Sequence, residues 1–172
     1  MTPLGEEAAA RYLARAWHGV LGKPASEAGL STLWAHWAHE TGRGTRMMGY
    51  NFAGLKGHKS RGGRHVWTRE ATGSKKELVR RSFRVYETPE QGAYDYVSLL
   101  LERYRGALSA ARQGRTEDFV AVLAARGYYT DHVDVYQKAL SRLARECMER
   151  TLAHRVLEAE KNEQHGLPPP PP

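Results

Sequence analysis

The 172-residue sequence has a single cysteine, Cys147, and lacks any run of about 18 apolar residues. One cysteine excludes an internal disulfide and a metal site built from several cysteines. The missing apolar run excludes a hydrophobic transmembrane helix, and the acidic residues Glu6 and Glu7 near the start are unlike a basic secretory leader. We therefore expect a protein stabilised by packing and made in the cytoplasm without a classical signal peptide.

Composition indicates one globular domain with a basic surface. Apolar residues make up 41% of the chain, enough for a sizeable core. Lysine and arginine outnumber aspartate and glutamate by 26 to 19, which gives a formal net charge of +7. Such a surface favours an acidic partner: nucleic acid, an anionic membrane or an anionic cell-wall polymer. Charge alone does not choose among them.

The spacing of apolar residues predicts helices and one hairpin. The helices are expected at 12–21, 30–41, 89–104 and 117–126, and as one long helix from about 134 to 164. Thr116 is expected to cap the fourth of these. Two β-like segments, 64–70 and 77–86, flank a turn and predict a hairpin.

The most informative stretch runs from His39 through two glycines, and a glycine-rich turn at 51–57 follows it. Glu40 lies three residues after Trp37 and seven after Leu33, so it projects from the apolar face of its helix. A carboxyl group there is desolvated, and desolvation raises its pKa as a general acid requires. We predict that Glu40 is the acid of a glycosidic-bond hydrolase. An exposed glutamate at a helix end is the alternative.

Several motifs occur in a fixed order along the chain. They are ETGRG at 40–44, NFAGLKG at 51–57, TRE at 68–70, FRVY at 83–86, DYV at 95–97 and GYYTD at 127–131. Their order and spacing resemble the bacterial endo-β-N-acetylglucosaminidases of glycoside hydrolase family 73, which include flagellar peptidoglycan hydrolases. The resemblance covers about residues 25–143, and the chain departs from the family pattern at Thr41, Arg43 and Asp131-His132.

The resemblance implies an α+β fold that is mainly α-helical and lysozyme-like, with a small β-hairpin lobe. A glycan cleft would lie between the helical part and the hairpin. On this basis we expect a lysozyme-like glucosaminidase domain at 1–145 and a charged helical extension at 146–165. A proline-rich tail or linker follows at 166–172.

Further site residues follow from the resemblance. Glu70 would be the second carboxylate, and Tyr128 a cleft tyrosine that orients the N-acetyl group or the attacking water. The residues by themselves leave a solvated Glu70 and a core Tyr128 equally open. Tyr129 takes the place of Tyr128 if the register shifts by one. Asn51 and Lys56, in the glycine-rich loop, are predicted to bind sugar hydroxyl or acyl groups.

No metal or cofactor is predicted. His36 and His39 lie three residues apart, but a His-Glu-x-x-His motif is absent and the spacing places no third ligand. The glycines from Gly54 onward lack the Gly-Lys-Ser/Thr ending of a phosphate-binding loop. Basic residues within 58–81 favour an anionic wall polymer over nucleic acid, because they border the expected cleft.

The sequence therefore predicts a peptidoglycan hydrolase that cleaves the β-1,4 bond after N-acetylglucosamine, the choice of bond coming from the resemblance. A muramidase on the same fold and an inactive glycan-binding or scaffold module are the alternatives, and a nucleic-acid-binding domain rests on charge alone. Action at the periplasm or cell wall would require non-classical export or lysis. The proline tail is compatible with a larger parent protein or an export machine.

Overall fold

The computed structural model describes residues 1–57, 63–72, 75–129 and 132–164, with the backbone alone at 63–72 and 75–81. Within these residues, seven helices and a two-stranded antiparallel sheet confirm the predicted α+β class, mainly helical with a small hairpin lobe. The elements are α1 (Glu6–Leu21), α2 (Glu27–Thr41), β1 (Gly63–Thr72), β2 (Lys75–Arg84), α3 (Pro89–Arg103), α4 (Arg105–Arg112), α5 (Thr116–Ala125), α6 (Val133–Glu149) and α7 (Leu152–Gln164).

Helix α2 is the central helix of the fold. It begins at Ser26, whose Oγ accepts a hydrogen bond from the Gly29 amide at 3.0 Å, and it ends at Gly42, which has a left-handed φ of 56°. Its side chains are buried almost all round, as expected of a helix that is surrounded by others. Helices α1, α4, α6 and α7 all pack against it. The last turn of α2 is therefore a fixed platform.

The hairpin pairs in the register Gly63↔Arg84 to Thr72↔Lys75, which confirms the predicted strand pairing. Its base joins the glycine-rich loop. The Gly57 amide donates to the Ser82 carbonyl at 2.6 Å, and the Arg84 amide donates to the Leu55 carbonyl at 2.9 Å. The β lobe thus begins directly beside the loop that follows α2.

The C-terminal half differs from the sequence expectations at three points. Thr116 is the first residue of α5 rather than its cap, and its hydroxyl forms a hydrogen bond with the Thr32 hydroxyl at 3.1 Å. A separate short helix, α4, precedes α5. The expected long helix is broken after Glu149, where Thr151 adopts a left-handed φ of 51° and a separate helix, α7, begins at Leu152.

Helix α7 folds back onto α1 instead of extending the chain. Leu152, Ala153 and Val156 are buried in the same core as the rest of the helices. On the outer side, Arg15 pairs with Glu160 and Glu163, both at 2.7 Å. The charged segment after residue 146 therefore carries an apolar stripe and charges that complement those of α1. None of the described helices is long and apolar enough to cross a bilayer.

Candidate active site

Glu40 occupies the last turn of α2, where the helix meets the glycine-rich loop. The Thr41 hydroxyl donates to the Trp37 carbonyl at 2.6 Å and accepts from the Gly44 amide at 2.9 Å, which fixes the turn after it. Thr41 is buried, and its hydroxyl serves the turn rather than the surface. The Glu40 side chain remains 23% exposed. The carboxyl group is thus held by a rigid helix end but reaches the surface.

The two carboxyl oxygens of Glu40 have different surroundings. The Tyr136 hydroxyl donates a hydrogen bond to Oε1. Nε2 of His36 lies 3.8 Å from the same oxygen. Oε2 faces Gly54, at which an added Cβ would lie only 3.3 Å away. One oxygen is therefore anchored, and the other points toward the backbone of the loop.

Burial raises the pKa of Glu40 above its ordinary value, and the hydrogen bond from Tyr136 partly opposes that rise. His36 is completely buried, which lowers the pKa of its imidazole to about 3, so the ring is neutral. Its Nδ1 lies 2.6 Å from the Tyr96 hydroxyl. A desolvated carboxyl group beside a neutral imidazole keeps its proton to higher pH and can deliver it to a bound acceptor.

Asn51 organises the glycine-rich loop. Its Nδ2 donates to the carbonyls of Leu55 at 2.9 Å and Arg84 at 3.0 Å, and its Oδ1 accepts from the Leu55 amide at 2.8 Å. The side chain is buried and its polar atoms are committed to backbone groups. This geometry supports loop positioning rather than the predicted sugar binding. Lys56 is exposed, and its backbone bridges to Phe83.

The predicted tyrosines lie near Glu40 without bonding to it. The Tyr128 hydroxyl donates to the Ala53 carbonyl at 2.5 Å, and its ring centroid lies 5.3 Å from that of His36. The Tyr129 hydroxyl donates to the Val120 carbonyl at 2.9 Å. Burial raises the pKa of Tyr129 to about 12 and also raises that of Tyr128 well above its ordinary value. Tyr128 therefore holds the loop segment that faces Glu40.

The tyrosine bonded to Glu40 is Tyr136, which the sequence analysis did not single out. Its ring stacks on Tyr129 with centroids 4.2 Å apart and planes 16° from parallel. Tyr136 shares its helical stripe with Leu140 and Leu143, so its spacing predicts a core residue. The available signal is its position eight residues after Tyr128, in the first turn of the next helix.

The backbone of Glu70 lies in β1 opposite Glu77. Its side chain, like Thr130 and Asp131 and the proline-rich tail, lies outside the described residues. Among the residues whose side chains are described, no three His, Cys, Asp or Glu groups are arranged to hold a metal ion. Two surface cavities, of about 490 and 430 Å³, lie between α1 and α7 and beside α5, and Glu40 lines neither. The candidate active site is therefore identified by the surroundings of the Glu40 carboxyl group and not by a cavity or a metal site.

A family model described as glucosaminidase, mannosyl-glycoprotein endo-beta-N-acetylglucosaminidase, matches residues 26–149. The chain belongs to the glucosaminidase family. It is therefore a glycoside hydrolase, and the resemblance drawn from the motifs is confirmed. The match ends at the last residue of α6, so Glu40, the hairpin and Tyr136 all lie within it. No curated relative matches the chain.

Solved structures share the fold at low sequence identity. The glycoside hydrolase domain of Salmonella typhimurium FlgJ, C-terminally truncated, is 23% identical with a TM-score of 0.57, covering 84% of this chain and 98% of that one. The peptidoglycan hydrolase of Sphingomonas sp. A1 is 22% identical with a TM-score of 0.62, covering 87% and 94%. The catalytic domain of the Listeria monocytogenes autolysin Auto is 21% identical with a TM-score of 0.60, covering 90% and 89%.

Proposed function

We propose that the protein is a peptidoglycan hydrolase that cleaves the β-1,4 bond after N-acetylglucosamine, with Glu40 as the general acid. The observation that carries the proposal is the Glu40 carboxyl group, desolvated and anchored through one oxygen in a chain of the glucosaminidase family. Solved structures with this fold include proteins described as a peptidoglycan hydrolase and an autolysin, which supports the substrate class. The reaction would take place at the cell wall.

In the proposed reaction, Glu40 gives its proton to the glycosidic oxygen as the bond from that oxygen to the anomeric carbon breaks. Positive charge develops at the anomeric carbon. In the inverting route, Glu70 takes a proton from a water molecule, and the water oxygen bonds to the anomeric carbon from the opposite face. In the alternative route, the acetamido group of the substrate attacks first and water opens the resulting ring, with net retention.

The test of Glu40 is Glu40→Gln, which keeps the shape of the side chain but has no acidic proton. Positioned acids contribute about 10²–10⁴-fold to rates, so release of soluble fragments from purified peptidoglycan should fall by that factor. Glu27→Gln is the matched control, because it makes the same change at the exposed start of the same helix, about 20 Å away. Most of the wild-type activity in a folded Glu40→Gln protein would refute the assignment.

The bond is tested by mass spectrometry of the sugar ends that wild-type protein releases. Reducing N-acetylglucosamine ends support the proposal, whereas reducing N-acetylmuramic acid ends would identify a muramidase. Binding of the glycan without any cleavage would indicate the inactive scaffold module instead. The anomer formed first, followed by NMR, separates the inverting route from the retaining one.

The net charge of +7 gives a further test of the substrate class. If the basic surface attracts an anionic wall polymer, sedimentation of the protein with peptidoglycan should weaken as salt rises, since ions screen exposed charges. Glu40→Gln should still sediment with the wall, because it removes the proton donor and leaves the basic residues. Sedimentation that does not respond to salt would contradict a charge-driven interaction.

A further inference from the structure

The environment of the Glu40 carboxyl group is asymmetric. The Tyr136 hydroxyl and Nε2 of His36 both lie on the side of Oε1. Among the described residues, none donates a hydrogen bond to Oε2, which faces Gly54. A general acid needs one oxygen that carries a proton toward the substrate, and a fixed carboxyl plane determines which oxygen that is.

We propose that Tyr136 is a positioning residue that holds Oε1 of Glu40 and so leaves Oε2, beside Gly54, to carry the proton given to the glycosidic oxygen. This proposal rests on the proposed role of Glu40 as general acid. It goes beyond that role, because it assigns the orientation of the Glu40 carboxyl group to a residue of α6 and predicts which carboxyl oxygen gives the proton.

The Tyr136 ring is itself held in place. It lies in the first turn of α6, a helix that packs along α2, and only 8% of the residue is exposed. One face of the Tyr136 ring stacks on Tyr129. The Tyr136 ring centroid lies 4.5 Å from that of the His39 ring, in an edge-to-face arrangement. Burial and the nearby Glu40 raise the pKa of Tyr136 far above its ordinary value, so the hydroxyl stays protonated and donates. A rigid ring with a permanent donor can fix the carboxyl plane.

His36 adds to the asymmetry without forming a bond to Glu40. Its buried Nε2 has no hydrogen-bond partner among the described residues. When the Tyr96 hydroxyl donates to Nδ1, the imidazole proton is on Nε2, the nitrogen that lies 3.8 Å from Oε1. The positive end of that dipole favours negative charge on Oε1, so the proton is favoured on Oε2.

Among the described residues, the other titratable groups around Glu40 do not change charge between pH 7 and 9. Described titratable residues face it from α2, α3, α6 and the segment after α5: His36, His39, Tyr96, Tyr128, Tyr129 and Tyr136. Burial lowers the pKa of both histidines and raises that of each tyrosine, so all six are neutral in this range. Arg46 carries a permanent charge near His39. A change in the titration of Glu40 therefore reports on the bond from Tyr136.

The decisive variant is Tyr136→Phe, which keeps the ring and removes the hydroxyl. Because that bond stabilises the carboxylate, its loss should raise the pKa of Glu40 by about one unit. Two readouts follow it: the carboxyl carbon of Glu40 in ¹³C NMR, assigned with Glu40→Gln, and the alkaline limb of kcat/KM against pH. A general acid is active while protonated, so the alkaline limb should move to higher pH by the same amount. At neutral pH we expect turnover to fall by about tenfold, since the carboxyl plane is no longer fixed.

Tyr129→Phe is the matched control, because it removes the neighbouring hydroxyl, which bonds to the Val120 carbonyl, and leaves Glu40 untouched. Its Glu40 titration should coincide with that of the wild type. An unchanged Glu40 titration in Tyr136→Phe would overturn the proposal, as would a loss of turnover with the alkaline limb in place. If the wild-type protein cleaved no glycan, the proposed function would fail, and the carboxyl titration would still decide the role of Tyr136.

Discussion

Helix α2 and the β-hairpin carry the two proposed carboxylates on very different supports. Helix α2 is packed against four other helices, and its last turn is closed by the buried Thr41 hydroxyl, which donates to the Trp37 carbonyl and accepts from the Gly44 amide. In the hairpin, β1 and β2 pair only with each other among the described strands. A two-stranded ribbon is marginally stable by itself in water. The orientation of Glu40 is therefore set by the core, while the position of the β1 backbone at Glu70 depends on how the base of the hairpin is anchored.

The base is anchored by a small polar network. Arg84, the last residue of β2, pairs with Asp95 of α3 at 2.5 Å, and the Tyr86 hydroxyl donates to the same carboxylate. The Arg84 carbonyl also accepts from Asn51 at 3.0 Å. These contacts tie the β lobe to both α3 and the glycine-rich loop. Substitutions here should affect the hairpin without disturbing the turn that carries Glu40.

The sharpest test of the comparison between α2 and the hairpin is to measure turnover in Glu70→Gln and in Tyr128→Phe side by side. If Glu70 activates water, Glu70→Gln should lower turnover by about 10²-fold or more, because no other base replaces it. Tyr128→Phe should lower it by about tenfold, since only the bond to the Ala53 carbonyl is lost and the loop facing Glu40 loosens. Initial rates on soluble glycan fragments measure both.

If Tyr128→Phe lowered turnover more than Glu70→Gln, the proposed role of Glu70 in activating water would pass to another group. A harmless Glu70→Gln together with a strongly impaired Tyr128→Phe would favour attack by the substrate's own acetamido group, oriented through Tyr128. Added azide is a useful control, because a small anion can replace a missing catalytic carboxylate. For this control Glu70→Ala is used, because truncation leaves room for the anion, and rescue by azide with formation of a glycosyl azide would support direct participation of Glu70.

Asn51→Ala tests the anchor from the side of the loop. The substitution takes the Asn51 partner from the Leu55 amide and from the Arg84 carbonyl, and each unsatisfied buried group costs about 1–3 kcal/mol. We expect the free energy of unfolding to fall by about 3 kcal/mol in urea titrations. Thr45→Ala removes an exposed hydroxyl bond to the Gly42 carbonyl and is the control, with a change below about 0.5 kcal/mol. Equal effects would mean that Asn51 is not an anchor.

The sequence predicts the last turn of α2, which carries Glu40, because two independent signals both indicate it. The apolar spacing of Leu33 and Trp37 places Glu40 on the buried face, and Gly42 ends the helix in a left-handed conformation that glycine favours. The hairpin is equally visible from its two β-like segments, and the family from the order of the motifs. Each of these signals is local, so spacing alone carries it.

The role of Tyr136 and the separate helix α7 could not be predicted from the sequence, for physical reasons. Tyr136 shares a stripe with Leu140, and spacing along a helix cannot distinguish a ring that fills the core from one whose hydroxyl reaches another helix. The break at Thr151 requires a positive φ that no glycine marks. Asn51 suggests sugar binding by its residue type, but its amide is used up by backbone partners that only the folded loop assembles. The hydroxyl bond of Tyr136 and the bond from Asn51 to Arg84 join residues far apart in the chain, and residue type alone does not mark the conformation of Thr151.

Asp95→Asn weakens the anchor from the side of α3 and should have a smaller effect. Its ion pair with Arg84 is mostly shielded, with side chains only 20% and 27% exposed, so losing the charge should cost about 1 kcal/mol. Asp118→Asn is the control, because the same kind of pair with Arg115 is more than half exposed and should contribute almost nothing. Thermal melts at low and high salt measure both. Similar changes of melting temperature in the two variants would show that the Arg84–Asp95 pair stabilises the protein no more than an exposed ion pair does.

The smallest expected effect is on the pH dependence of stability, and it tests whether Glu40 is desolvated in the resting protein. The pKa of Glu40 is raised above its ordinary value of 4.5 by burial, so its contribution to stability is fully present below that pH and is lost as pH rises through the folded pKa. Glu40→Gln should therefore melt at a higher temperature than wild type at pH 7 and at nearly the same temperature at pH 4. His36, with a pKa lowered to about 3, destabilises both proteins equally as pH falls below about 6.5, and this cancels in the difference. A Glu40→Gln protein with no gain at pH 7 would show that the carboxylate is well solvated there, and the case for Glu40 as a shielded proton donor would lose its electrostatic basis.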